Sequence, residues 1–217
     1  MDQSDSMRDR LRALTVYPQE LPRFDTDALP GDPLQLFREW LDAAIAARVL
    51  QPNAMTLATA SAEGVPSART LLLKDLDESS LWFASLSTSP KGVDIAENPH
   101  VAIVVHWREQ GRQVRVTGDA VAGSREVAAA DFLARRPEAR ARAMAGRQSE
   151  PLGDVEAEVA AARARLEAEP GYVPEAWTAY RVIPHTVEFW QAERERDQVR
   201  VRYSRAAGEW THGFIWP

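Results

Sequence analysis

Five stretches of this chain gather side chains that could hold a charged ligand. Arg69-Thr70-Leu71-Leu72-Leu73-Lys74 has an apolar centre and a cation at each end. Ser85-Leu-Ser-Thr-Ser89-Pro-Lys91 offers four hydroxyls and a lysine at the start of a helical segment. Hydroxyls, backbone amides and the positive end of a helix are the ingredients of a phosphate cradle. Arg147-Gln148-Ser149 adds an amide and a hydroxyl between two helical segments. Glu188-Phe-Trp190-Gln191 puts an aromatic ring and an amide at a strand end, and the run from Arg194 to Arg202 is dense in charge. Each stretch also has a plainer account: a core strand with solvated ends, a capped turn, a loop, a buried tryptophan and a solvated strand edge. Taken singly, they leave both accounts open.

The elements that must position these residues are legible in the pattern. Asp32-Pro33 supplies a helix N-cap followed by proline at the first helical position. Leu34, Phe37, Leu41, Ala44 and Ile45 then recur at helical spacing to about Val49. From Ala54 the period changes: 54–60 and Pro66 to Lys74 read as strands of a hairpin around the turn Ser61 to Gly64. A third strand covers Leu81 to Ser85, and a short helix runs from Pro90 to Glu97, where Asn98-Pro99 stops it. His100 to Trp107 and Arg112 to Val121 are further strands. In the second, Gln113, Arg115 and Thr117 form a wet face opposite Val114 and Val116. Helices are expected over 124–135 and 154–168, and strands over Ala179 to Val182, Thr186 to Gln191 and Val199 to Ser204. Residues 1–31 read as a flexible polar tail and 32–217 as one domain. Many short antiparallel strands with a helix at each break predict a mainly β, α+β fold: an antiparallel β-barrel of Greek-key type with flanking helices. No glycine-rich phosphate loop of the dinucleotide or Walker type is present.

Composition narrows the chemistry. A formal net charge of -6 argues against a general nucleic-acid partner, which would meet a basic face. There is no cysteine, so thiolate, disulfide and iron–sulfur chemistry are excluded. The four histidines, at 100, 106, 185 and 212, have no ligand-like spacing, so no metal is expected. The N-terminal segment is polar, unlike a signal peptide, and no apolar run approaches the ~20 residues of a membrane span. A cytoplasmic protein with no membrane partner is expected.

In this order and spacing the pieces resemble the pyridoxine/pyridoxamine 5′-phosphate oxidase family. The carrying residues are Asp32-Pro-Leu-x-Leu-Phe-x-x-Trp-Leu, Arg69-x-x-Leu-Leu-Lys74, Ser89-x-Lys91, Trp107 with Arg112-Gln-Val-Arg-Val, Gln148-Ser149, Arg181-Val, Glu188-Phe-Trp-Gln and Arg196-x-x-x-Arg200. The resemblance implies an FMN-binding split barrel, working as a homodimer with flavins at the interface. Its substrate would be a small molecule and its electron acceptor dioxygen. It implies that Arg69, Thr70, Leu71, Leu72 and Lys74 run along the flavin, with Arg69 at the phosphate end. Ser85, Ser89 and Lys91 would serve the phosphate or ribityl chain. Gln113, Gln148 and Ser149 would reach in from the partner or close the site, and Trp190 and Arg200 would line the ring. Lys74 and Arg196 would be catalytic, and Lys74, Arg135, Arg136, Arg196 and Gln198 would meet the substrate. The implied chemistry is hydride transfer to the flavin and reoxidation by dioxygen, giving hydrogen peroxide.

The sequence also departs from that family. Pro90 stands where the family usually has an arginine before the lysine, which removes a cation from the cofactor phosphate. The family's C-terminal Arg-x-His-Asp-Arg reads Arg196-Asp-Gln198-Val199-Arg200 here. The family's substrate-phosphate residues are Tyr, Arg and Ser. An ungapped reading puts Asp131, Arg135 and Ala139 at those places, and a shift by one puts Phe132, Arg136 and Arg140 there. A polar group left unpaired costs ~1–3 kcal/mol, so a changed substrate is a serious alternative. His106-Trp-Arg-Glu-Gln110 and Arg147-Gln-Ser-Glu-Pro-Leu152 look similar to the phenazine-biosynthesis flavin oxidases, whose substrates are dihydrophenazine precursors. A flavin-binding protein without oxidase activity is a third reading.

Overall fold

A computed structural model describes residues 6–15, 17, 18, 20–193 and 198–216. Nine strands form one antiparallel sheet: β1 (Ala54–Ala60), β2 (Pro66–Leu72), β3 (Asp75–Leu76), β4 (Leu81–Leu86), β5 (His100–Trp107), β6 (Arg112–Ala122), β7 (Trp177–Ala192), β8 (Gln198–Ala206) and β9 (Glu209–Phe214). Their order is β2-β1-β5-β6-β7-β4-β3, with β8 and β9 branching from β7. The helices are α1 (Met7–Arg12), α2 (Pro33–Ala46), α3 (Pro90–Glu97), α4 (Arg125–Leu133), α5 (Pro137–Ala145) and α6 (Val155–Ala168). The sheet curls into the expected split barrel with flanking helices.

β7 splits the barrel. It pairs with β6 along its length, but its first half also pairs with β4 (Leu81↔Val182) and its second half with β8 (Trp190↔Arg200). The sequence predicts two strands here, broken at Pro184, and the structure joins them. Opposite Pro184 lies Gly118, where the β6–β7 register shifts. A Cβ on Gly118 would lie 2.1 Å from the Ile183 carbonyl oxygen. The missing side chain lets the bulge close, and the bulge absorbs a proline that lacks an N–H to donate. Four further elements escape the sequence pattern: α1 falls in the stretch read as a flexible tail, and β3 lies between two expected strands. α5 starts at Pro137, in a stretch read as a connection, and β9 is mostly exposed, with only Trp210 packed against the core and no alternation of the kind that marks a half-buried strand.

The main core lies inside the barrel. Trp40 of α2 meets Phe24 at 4.9 Å and Phe189 at 5.2 Å between ring centroids, and the Arg112 guanidinium stacks 4.4 Å from the Trp40 ring. Phe37, Phe83 and Phe189 are wholly buried, and each contributes roughly 2–3 kcal/mol by leaving water. Tyr203, also wholly buried, donates its hydroxyl to the Pro30 carbonyl. Burial, then the charges of Glu39 and Asp32, push its pKa up to about 12. A second cluster, built on Phe132, Ala141, Val159, Leu166 and Trp177, holds α4, α5 and α6 against the sheet. The site is built where the two clusters meet.

Candidate functional site

Ser89 caps α3: its hydroxyl accepts from the Gly92 N–H, and Pro90 occupies the first turn. A Cβ on Gly92 would fall 2.4 Å from the Ser87 carbonyl oxygen, so glycine lets the helix start against the β4 loop. That approach turns Lys91 inward. Lys91 is 5% exposed, and its Nζ donates to Ser85 Oγ (2.9 Å), Ser89 Oγ (3.2 Å) and Gln148 Oε1 (2.5 Å). All three acceptors are neutral. Burial, and then the charge of Arg69, lower the Lys91 pKa to about 8.

Arg69 stands on β2 beside this lysine. It donates to Thr59 Oγ1 (2.8 Å), Ser67 Oγ (2.8 Å) and the Leu57 carbonyl (3.3 Å), and its nearest carboxylate, Asp94, is 3.9 Å away. Burial lowers its pKa, opposed by Asp94. Thr59 and Asp94, which fix this guanidinium, were not singled out in the sequence. A threonine on a strand and an aspartate three residues after Lys91 give no signal until the strands pair.

Arg69, Thr70, Leu71, Ser85, Lys91 and Gln148 line one cavity of about 400 Å3, with Arg135 and Trp177 on its far wall. The Arg135 guanidinium stacks 4.8 Å from the Trp177 ring, and its buried Nε has no hydrogen-bond partner among the described residues. Trp177 Nε1 donates to Asp131 Oδ2 (3.0 Å), and the other oxygen of Asp131 lies 3.9 Å from Lys74 Nζ. Of the two registers left open by the sequence, the ungapped one puts Asp131 and Arg135 beside the cavity. In the other, Phe132 is wholly buried in the second core cluster, Arg136 is exposed at the α5 N-cap, and Arg140 donates to the Pro170 and Tyr172 carbonyls. Leu72 and Ser149 are exposed and do not line the cavity. Ser149 has a positive φ of 70°, a left-handed conformation uncommon outside glycine.

The remaining expected residues form a separate group. Gln113, Trp190 and Arg200 are direct cross-strand partners on β6, β7 and β8, so they make one row on the polar face of the sheet. None of them lines the cavity. Trp190 Nε1 donates to Gln198 Oε1. In the next row, the buried carboxylate of Glu188 accepts from Arg115 (2.6 Å), Arg202 (3.2 Å) and Arg200. Burial pushes the Glu188 carboxyl up, but the hydrogen bond from Arg200 and the charge of Arg115 outweigh it, and its pKa is lowered. Glu188 stands in the motif Glu188-Phe-Trp190-Gln191, but nothing in the sequence marks it as the partner of three arginines. Arg196 lies outside the described residues.

A buried ammonium among neutral acceptors and an arginine beside it together fit an anionic group, and the phosphate of FMN is one. The fold is a split barrel, and this cavity presents cationic donors to an anionic ligand such as a flavin phosphate. Residues 41–170 match the model described as pyridoxamine 5′-phosphate oxidase, and residues 177–217 match the pyridoxine 5′-phosphate oxidase C-terminal dimerisation region. The chain is 36% identical over 200 residues to a pyridoxine/pyridoxamine 5′-phosphate oxidase of Sphingopyxis alaskensis, covering 91% of this chain and 93% of that protein. It is 40% identical over 194 residues to one of Rubrobacter xylanophilus, covering 88% and 89%. Among solved structures, PhzG from Burkholderia lata, in complex with tetrahydrophenazine-1-carboxylic acid, superposes with a TM-score of 0.84. That match has 33% identity and covers 90% of this chain and 98% of that one. The chain therefore belongs to the pyridoxamine 5′-phosphate oxidase family of FMN-binding oxidoreductases, and its C-terminal strands are the family's dimerisation region.

Proposed function

We propose that this protein is an FMN-dependent oxidase that removes a hydride from a reduced nitrogen heterocycle, or from an amine or alcohol carried on one. Dioxygen is the final acceptor and hydrogen peroxide the product. The observation that carries this reading is Lys91, a buried cation with no carboxylate within ion-pair distance among the described residues. A charge held at that cost of burial is explained by an anionic ligand. Lys91, Arg69 and Ser85 would hold the FMN phosphate, and Gln148 would close over it. Thr70 and Leu71, on the strand leading to Lys74, would run along the cofactor. Trp190 and Arg200, on the polar face of the dimerisation strands, and Gln113 beside them on β6 would complete the site from the second copy. When bound, FMN supplies the two-electron chemistry. The chain's own residues bind it, orient it and meet the substrate. Lys74 would stand at the reacting end with Arg196.

Two substrate readings share this chemistry. The pyridoxine/pyridoxamine 5′-phosphate reading is supported by the curated relatives and by the retained Lys74 and Arg135. The dihydrophenazine-precursor reading is supported by Asp131 facing Lys74 and by the PhzG neighbour. The test is the absorption spectrum of purified protein, followed by pyridoxine 5′-phosphate under air with peroxide detection. A yellow protein that makes peroxide supports the first reading. A yellow protein inert to this substrate but active on a reduced phenazine carboxylate supports the second. A protein that cannot be loaded with FMN overturns both.

A further inference from the structure

Beside the cavity wall formed by Arg135 and Trp177, Lys74 and Asp131 pair without lining the cavity themselves, and their charges bear on the substrate. From Arg69 to Lys74 the extended chain advances roughly 17 Å, so the cation expected at the reacting end stands well away from the cluster around Lys91. Lys74 is not a free cation. Asp131 Oδ1 lies 3.9 Å from its Nζ, and the other oxygen of the same carboxylate is fixed by Trp177 Nε1 at 3.0 Å. The Asp131 side chain is 18% exposed, and Trp177, 5% exposed, is held in the second core cluster by Phe132 at 5.4 Å. The carboxylate is therefore anchored by the fold, and a ligand could not displace it without breaking the tryptophan hydrogen bond. Beside it, Arg135 stacks on the other partner of that bond and keeps an unpartnered Nε.

The three side chains sum to one net positive charge: Lys74 is offset by Asp131, and Arg135 remains. A phosphomonoester carries about -1.5 to -2 at neutral pH and needs several donors. A carboxylate carries a single charge and suits one planar guanidinium. A phosphate brought to Lys74 would also face the fixed oxygens of Asp131, and like charges at this range repel strongly once partly desolvated. We infer that Asp131 is a specificity-determining residue. Its ion pair with Lys74 disfavours phosphorylated substrates and selects a reduced nitrogen heterocycle that bears a carboxylate, received by Arg135. The inference rests on the oxidase reading above and narrows its substrate class.

The test is equilibrium binding to the FMN-loaded full chain. The phosphate probe is 4-deoxypyridoxine 5′-phosphate, whose 4′ methyl group carries no hydroxyl or amine to support hydride loss, and the carboxylate probe is phenazine-1-carboxylate. Binding is read by flavin absorbance and by tryptophan fluorescence, since Trp177 lines the cavity. The wild type is expected to hold the carboxylate at least about tenfold more tightly than the phosphate. Asp131→Asn keeps an acceptor for Trp177 and removes the charge. It should tighten the phosphate probe about tenfold or more while moving the carboxylate by less than about threefold. Asp131→Ser repeats the comparison if the asparagine variant does not fold. A wild type that prefers the phosphate, or variants that shift both probes alike, would overturn the inference. Failure to take up FMN would defeat the oxidase reading instead, and the fluorescence readout would still decide the charge preference.

Discussion

Two regions of this molecule bury charge, and they do it in opposite ways. At the start of α3, Lys91 is a buried cation whose partners are Ser85, Ser89 and Gln148, all neutral. On the polar face of β6, β7 and β8, Glu188 is a buried anion ringed by Arg115, Arg200 and Arg202. The first region is satisfied in hydrogen bonds but not in charge, and a neighbouring arginine makes the excess worse. The second is satisfied in both, and the two outer arginines are partly open to water. Unmatched charge in a cavity marks a place for a ligand, and matched charge between strands marks a fastening. Arg200 is the inner arginine of that fastening. Its Nε and Nη2 go to Glu188, and its Nη1 goes to the Trp216 carbonyl. Glu188 thus fixes where Arg200 presents its guanidinium to anything docked on that face.

Replacing Lys91 should have the largest effect. Charge-assisted hydrogen bonds contribute about 1.5–3 kcal/mol each, so Lys91→Met should weaken FMN binding on the order of a hundredfold in a fluorescence titration. The apo protein should melt no lower than wild type, because the variant removes an uncompensated buried charge. A lower apo melting temperature with unchanged FMN affinity would place Lys91 with Glu188 as a fastening.

Glu188→Gln should show the reverse pattern. It leaves three arginines without their shared carboxylate, and the loss should be about 2 kcal/mol in urea denaturation. That is below the range for fully buried pairs because the arginines are partly solvated. Cofactor affinity should change less than in the Lys91 variant.

The pH dependence sharpens the contrast. The folded pKa of Lys91, about 8, lies below the ordinary lysine value of 10.5, so the fold disfavours the charged form. The resulting penalty is fully present below pH 8 and is relieved as pH rises from 8 towards 10.5. Apo stability should therefore gain a contribution from this group across that window. FMN affinity should move the other way, falling by up to about tenfold per pH unit above 8 as the cation is lost. An affinity flat from pH 7 to 10 would remove Lys91 from the phosphate site.

The smallest signal tests how the two regions meet. If the cavity of one protomer is completed by the polar row of the other, unfolding and refolding a mixture of Lys91→Met and Arg200→Ala proteins should restore about a quarter of the sites. Half of the dimers would then be mixed, and each mixed dimer would hold one intact site. Bound FMN per protomer reads the outcome, and no recovery would mean that each chain builds its site alone.

Local sequence pattern reveals more of the first region than of the second. α3 was readable to its ends, because Ser89 caps it, Pro90 opens it and Asn98-Pro99 stops it, all within one local stretch. The hairpin β1–β2 and the wet face of β6 follow from alternation, which is also local. The row Gln113, Trp190, Arg200 was legible only through the family resemblance, since no local pattern brings three distant strands into register. Tertiary structure alone decided that β7 runs unbroken past Pro184, because the bulge that tolerates it depends on Gly118 across the sheet. It also decided the pairing of Lys74 with Asp131, and the gathering of three arginines on Glu188. Local pattern encodes which face of an element is buried. Which buried charge meets which partner depends on contacts between residues far apart in the chain, and one sequence does not display them.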